Sequence, residues 1–242
     1  MTQRNTLAAL ARRSRTVLRK EGPAGLLRRA GAFVAFLGSR VVHAETAYLY
    51  EHSIVPRDRR EFLPRLDSWE LKVMRSNAEA DAVAAEGFED FRDAFVFARR
   101  SLDAGAVVFC VYVGAELAHV GWLAVDAAGK KSIDRVPYSV AFESGQACTG
   151  GTYTIPAYRG KGLMPYVYYE RFEYLRARGF TSSRNCVEVS NVSSQKAHAR
   201  FNPTIYGMGR FWRILWWSWW REAPLPGGPR RGMPTGATAE KA

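Results

Sequence analysis

Cysteine is scarce in this 242-residue chain and never paired at short range. Cys110, Cys148 and Cys186 stand singly in apolar or strand-like runs, which fits buried thiols in a reducing compartment and argues against a disulfide framework. No tight Cys/His cluster is present, so no zinc site is expected. Acidic residues are few as well. Asp and Glu number 23 against 35 Lys and Arg, a net charge of +12, so acidic partners are expected: phosphorylated cofactors, anionic lipid, nucleic acid or an acidic carrier protein. Long apolar runs are missing too. Ala30 to Ser39 falls short of the ~20 residues that span a bilayer. No small-residue cleavage site follows a proper apolar core, so no signal peptide is expected. The Gly-x4-Gly-Lys-Ser/Thr P-loop is absent, and Gly160 and Gly162 meet only the first half of the Gly-x-Gly-x-x-Gly dinucleotide fingerprint. At 47% hydrophobic and 24% charged residues, the composition is that of a globular domain with extensions.

What is present divides into an arm at 1–50, a domain at 66–222 and a Pro/Gly-rich tail at 223–242, expected to be disordered. The arm carries nine cations before residue 43 against the single Glu21, with Leu7, Leu10, Val17 and Leu18 interleaved. That pattern predicts a basic amphipathic helix, interrupted at Gly22-Pro23 and followed by a second helix from Ala24 to Val42. Three readings compete: an arm on an anionic membrane surface, which the composition favours, a helix packed on the domain or a second subunit, and nucleic-acid binding, supported only by the basic stripe.

In the domain, Trp69 to Arg75 reads as a strand and Ala78 to Leu102 as one or two helices, with Phe88, Phe91, Phe95 and Ala98 at helical spacing. Ala106 to Val113 is an almost wholly apolar strand, hence central, and turns at Gly114-Ala-Glu into a second strand, Leu117 to Val125. Lys130 to Arg135 reads as surface loop and Val136 to Phe142 as an additional strand. Ala147 to Ile155, with Thr and Tyr, is a strand by propensity. After it comes a short basic turn, Arg159-Gly-Lys-Gly162, then a helix with Pro165 in its first turn, Met164, Tyr168, Phe172 and Leu175 on one face, and Gly179 as its stop. A strand, a two-glycine basic turn and a helix N-terminus make an anion site; the bland alternative is a solvated loop. Ser182 to Ser190 is a further strand and Asn191 to Phe201 a helix with a polar start. Tyr206 to Arg221 follows, where five of the seven tryptophans lie between 212 and 220.

The segment Ile155-Pro-Ala-Tyr-Arg-Gly-Lys-Gly-Leu163 resembles the acyl-CoA pyrophosphate loop of the GNAT acyltransferase superfamily, whose Arg/Gln-x-x-Gly-x-Gly/Ala pattern is met by Arg159 and Gly162. Met164 departs from it at the last small position. A second likeness lies at Asn191, with Ser194 at the small position and His198 where the family has Tyr; Asn202-Pro203 replaces the family's closing Gly-Phe. The resemblance implies an α/β (α+β) fold, a mixed, mostly antiparallel twisted sheet flanked by helices. It further implies that backbone amides from Arg159 through Gly160, Lys161, Gly162 and Leu163 to Met164 hold the pyrophosphate. Tyr153, Thr154 and Ile155 would pair with the pantetheine arm, one N–H there polarising the acyl carbonyl. Asn191 joins this cofactor set, and His198 would protonate the leaving thiolate. For a general base, Glu143 and His119 are the candidates; each is equally readable as a structural residue, and positioning with water can make a base unnecessary.

The implied activity is acyl transfer from a phosphopantetheine thioester, as acyl-CoA or on an acyl carrier protein, to an amine. The basic arm through residue 43 and the stretch Trp212–Trp220 point to an anionic membrane surface and a lipid amine, as in the bacterial ceramide synthases of this superfamily. The expected location is then cytoplasmic, peripheral on the inner membrane face. The rivals are a soluble acetyltransferase of a small amine, sugar or protein, its arm used for homodimerisation, and a non-catalytic lipid- or nucleic-acid-binding module.

Overall fold

The computed structural model describes residues 42–95, 97–214 and 217–232. Two compact units divide the chain. In the larger the described residues are 46–95, 97–210 and 220–232, and in the smaller 42–45, 211–214 and 217–219. The expected helices of the arm up to residue 41, and the tail from 233, lie outside the described residues.

The strands are β1 (Val42–Ser53), β2 (Glu70–Met74), β3 (Val107–Val113), β4 (Glu116–Ala124), β5 (Gln146–Thr154), β6 (Ser182–Glu188), β7 (Thr204–Ile214), β8 (Trp217–Pro224) and the short β9 (Arg230–Arg231). They form one sheet in the order β2-β3-β4-β5-β6-β1-β7-β8, with β9 on β7. The helices are α1 (Asn77–Ala85), α2 (Phe91–Ala94), α3 (Ala98–Asp103), α4 (Ala127–Ile133), α5 (Leu163–Arg176) and α6 (Val192–Ala199). The fold is thus mixed α/β, a largely antiparallel open sheet flanked by helices. One junction differs. β5 and β6 run parallel and pair over Gln146–Cys148 against Ser182–Arg184 only.

β3 is apolar throughout because both its faces are covered. Val107, Phe109 and Val111 meet the core under α5, and Val108, Cys110 and Tyr112 meet the core under α1–α3. α5 buries Val167, Phe172 and Leu175 against the sheet, each contributing about 1.5–3 kcal/mol. Cys110 and Cys148 are buried and Cys186 half-buried, none in a disulfide among the described residues.

Several expectations are corrected. Residues 42–50, placed in the helical arm, belong to β1, which pairs with β6 from Ala47↔Glu188 to Ser53↔Ser182. Thr46, Tyr48 and Tyr50 favour the extended chain, and the strand buries Tyr48 and Tyr50 in one cluster and Leu49 in another. The tail expectation fails at its start: Leu225 is buried, and Ile205↔Arg230 pairs β7 with β9. Lys130 to Arg135 is largely helix rather than loop. Asp126 caps α4 by accepting from the Gly129 N–H at 2.7 Å, and Lys130 tucks its stem inward, donating to Val136 O at 2.7 Å. Val136 to Phe142 alternates buried and exposed positions but joins no strand. Its N–H groups go to side chains instead, Val136 to Asp134 Oδ1 and Ala141 to Gln146 Oε1. The expected one or two helices of 78–102 are three short ones, interrupted at Gly87, φ +97°, and restarted by the Asp90 cap.

Candidate functional site

The turn between β5 and α5 is built by two glycines that accept left-handed backbone, Gly160 at φ +75° and Gly162 at φ +82°. Gly162 is the N-cap of the fourteen-residue α5 and has no side chain to cap it, so the first N–H groups of the helix are left for an outside acceptor. Among the described residues, no backbone carbonyl accepts from the N–H of Gly160, Lys161, Gly162, Leu163 or Met164. The carbonyls of the same turn face the other way and are held by Arg65: its N–H reaches Lys161 O at 2.8 Å and its guanidinium Gly160 O at 2.6 Å. Arg65, Arg159 and Lys161 are exposed and make no ion pair among the described residues. Unpaired N–H donors, a helix N-terminus and the side chains of Arg159 and Lys161 make a cradle that could receive an anion.

Among the described residues, the strand leading into this turn has one free edge. Beyond Cys148 and Arg184, β5 leaves β6, while β6 keeps its pairing with β1 through Glu188↔Ala47. The Thr149 and Ser183 hydroxyls, 3.0 Å apart, mark the point of divergence. On its other side β5 stays paired with β4, His119↔Thr154 and Val120↔Tyr153, and Ile155 donates its N–H to Ala118 O at 3.0 Å. The antiparallel alternation then turns the backbone groups of Tyr153 and Ile155 to β4 and those of Thr152 and Thr154 to the gap. Of the three residues expected to hold a pantetheine arm, Thr154 alone has its N–H on the open side. Arg159 reaches back to Thr154 O at 3.2 Å, which ties the cradle to the gap.

Beneath the gap lies a buried polar band. Arg171 of α5 is fully buried and meets no carboxylate among the described residues. Its guanidinium donates to Trp122 O at 2.8 Å, Gly150 O at 3.4 Å and Thr152 Oγ1 at 3.2 Å, and lies 3.8 Å from the Tyr168 ring centre. A register shift between Val120 and Trp122, opposite Gly151 at φ +53°, exposes those carbonyls to it. Burial opposes the arginine's charge, and the neighbouring Tyr168 partly restores it. His119, His52 and His198 complete the band. Burial, followed by the Arg171 charge, pushes the His119 pKa down to about 3. Burial likewise takes His52 down to about 3, and takes His198 well below its ordinary value, with His52 as the next cause. His52 Nδ1, His119 Nε2 and Asn185 Oδ1 are buried with no hydrogen-bond partner among the described residues.

Of the expected catalytic residues, His119 and His198 thus lie in one buried band and Glu143 lies apart from it. His198 is buried, with Nδ1 3.1 Å from His52 Nε2 and Nε2 3.2 Å from Asn185 Nδ2, so neither nitrogen faces the cradle. His119 contacts Thr154 through the hydroxyl at 2.8 Å and is closed to solvent. Glu143 is exposed at the opposite end of β5, in the turn before Gln146, about 26 Å along the strand from Thr154. Asn191 uses Oδ1 to cap α6, accepting from Ser194 N at 3.0 Å. Tyr153 is exposed against Phe95 and Arg159, Leu163 is buried, and Met164 packs partly against the core. Sequence reasoning missed Arg65, His52 and Arg171. A signal existed for Arg171 alone, a cation set between the apolar Val167 and Leu175 at four-residue spacing.

In the smaller unit, Trp217 and Trp219 are exposed, 60% and 48%, with ring centres 6.2 Å apart. No helix among the described residues is long and apolar enough to cross a membrane.

No protein-family model matches the chain and no curated protein matches it. Solved structures do show likeness. A functionally unknown conserved protein from Staphylococcus epidermidis shares 11% identity over 76% of this chain and 64% of its own, with a TM-score of 0.41. An acetyltransferase of the GNAT family from Colwellia psychrerythraea shares 16% over 78% and 56%, TM-score 0.39. A glucosamine N-acetyltransferase region of a fungal multi-domain β-N-acetylglucosaminidase shares 11% over 76% and 22%, TM-score 0.43. This chain therefore spans less than two thirds of the length of each of these three.

Proposed function

We propose that this chain is a GNAT-type N-acyltransferase, moving an acyl group from a phosphopantetheine thioester to an amine. The observation that carries the reading is the continuity of two features: an edge of β5 freed by its departure from β6, running directly into a turn of unpaired N–H groups at the head of α5. A thioester donor has the same two parts, an amide-rich arm that adds to a strand edge and, in CoA, a pyrophosphate that suits the cradle. The Thr154 N–H faces the gap and would polarise the acyl carbonyl. The neutral amine attacks that carbon, the C–S bond breaks, and the amine's proton ends on the sulfur. With both His198 nitrogens occupied, water is the carrier of that proton in this scheme. The cationic rim of Arg65, Arg159 and Lys161 also suits an acidic carrier protein as donor.

The acceptor we favour is a membrane-lipid amine, as in ceramide-type N-acylation, with the protein peripheral on the inner membrane face. The support is the pair of exposed tryptophans, Trp217 and Trp219, on a chain of net charge +12. Calorimetry with acetyl-CoA and palmitoyl-CoA, with and without anionic vesicles, tests both levels. Tighter binding of the long chain, strengthened by vesicles, supports the lipid enzyme. Equal binding indifferent to vesicles supports a soluble acetyltransferase of a small amine. No binding of either, with a phosphopantetheinyl carrier protein also inert, leaves a non-catalytic module and overturns the proposal.

A further inference from the structure

At the opposite end of the β4–β5 ladder from the cradle, a cavity of about 370 Å³ opens between α3 and α4. The cradle adjoins the His119↔Thr154 pair, whereas α4 begins just beyond Ala124, about 17 Å further along β4. Three cations line the cavity, Arg100, Lys131 and Arg135, and no carboxylate does. Several nearby cations are ion-paired, Arg92 with Asp81 and Asp90, Arg99 with Asp90, Lys72 with Glu70 and Glu86, while Lys130 donates to Val136 O. The three at the cavity make no ion pair among the described residues. Like charges around so small a space repel within a Debye length of about 8 Å, so an anion entering it relieves that repulsion.

The cavity is not only charged. Phe97 stands at its mouth 52% exposed, with the Arg135 guanidinium 5.5 Å from its ring centre. An exposed ring beside a cation is a shelf on which a planar group stacks. The Ser101 hydroxyl donates to Ser132 O at 3.2 Å and the Ser132 hydroxyl to Gly129 O at 2.7 Å, so their oxygens remain as acceptors along the wall. The volume falls in the range of small-molecule sites, roughly 300–1,000 Å³. We infer that the cavity between α3 and α4 binds a phosphorylated small molecule of mononucleotide size, its planar ring on Phe97 and its phosphate among Arg100, Lys131 and Arg135. This site is separate from the proposed donor cradle and does not depend on that reading.

The test is calorimetric titration of the full chain with adenosine 5′-monophosphate and with inorganic phosphate. The nucleotide is expected to bind saturably and at least fivefold tighter than phosphate, and Phe97→Ala is expected to erase that difference. Arg100→Glu combined with Arg135→Glu, both exposed, is expected to weaken nucleotide binding at least tenfold. Arg159→Ala combined with Lys161→Ala is expected to leave it unchanged. The inference is overturned by an absence of saturable nucleotide binding, or by phosphate binding as tightly as the nucleotide. It is equally overturned if the Arg159/Lys161 variant loses binding while the Arg100/Arg135 variant keeps it.

Discussion

The turn at the head of α5 and the band beneath the β5–β6 gap are both polar, and they are stabilised in opposite ways. In the turn, N–H groups and cations face water, which satisfies them until a ligand replaces it. In the band, the groups are buried: Arg171 depends on three carbonyls, a hydroxyl and the face of a tyrosine, and three imidazoles stay neutral. A polar group in the turn can be lost at little cost to folding. A polar group in the band cannot, because its partners would be left buried and unsatisfied. The first region is therefore available for binding, while the second sets the shape of the gap.

Acid should break this contrast most strongly. His52, His119 and His198 have folded pKa values below the ordinary 6.5, so their neutral burial stabilises fully above pH 6.5 and that stability is lost as pH falls below it, down to about 3 for His52 and His119. Each imidazole contributes about 1.4 kcal/mol per pH unit in that window. Urea midpoints measured at pH 7, 6 and 5 should fall steeply, and a flat series would mean the band is wet. Next in size, Arg171→Ala should cost about 3 kcal/mol, since it leaves Trp122 O and Gly150 O unpaired around a cavity. Equilibrium unfolding at pH 7 reads it directly; a loss under 1 kcal/mol would sink the structural role given to this cation.

Gly151→Val should follow at about 2 kcal/mol, because the residue sits at φ +53° and a Cβ there meets Trp122 Cδ1 at 2.7 Å. The same unfolding assay should show a smaller loss than for Arg171→Ala. Arg159→Ala with Lys161→Ala sharpens the other side. Stability should stay within about 0.5 kcal/mol of the parent, as for exposed positions generally, while CoA affinity falls about tenfold, or 1.4 kcal/mol. Calorimetry showing unchanged CoA affinity would remove the cradle from the proposed function.

Much of the sheet was legible because its signals are local. The alternation and β-branched runs of β3, β4, β5 and β6, the Gly114 turn and the Pro165 helix start all act within a few residues. β1 was misread because its alternation adjoins a long basic segment, and its strand character rests on partners in β6 far along the chain. α4 was misread because its start depends on one cap, Asp126, ahead of a glycine with poor helix propensity. Val136 to Phe142 shows the converse failure. It alternates buried and exposed positions as a strand would, but a strand also needs a neighbour, and the N–H groups of Val136 and Ala141 found side chains.

For the site, the sequence by itself determined the cradle: glycines at 160 and 162, cations at 159 and 161 and a helix immediately after them fix an N–H-rich turn through local backbone preference alone. It could not determine where His119, His198 and Glu143 would lie, because their positions follow from strand register and the parting of β5 from β6. Nor could it supply Arg65 or His52, which reach Gly160 of the turn and His198 of the band from 95 and 146 residues away. Those placements come from burying α5 on the sheet, a global minimisation of exposed apolar area that decides which polar groups are enclosed with it.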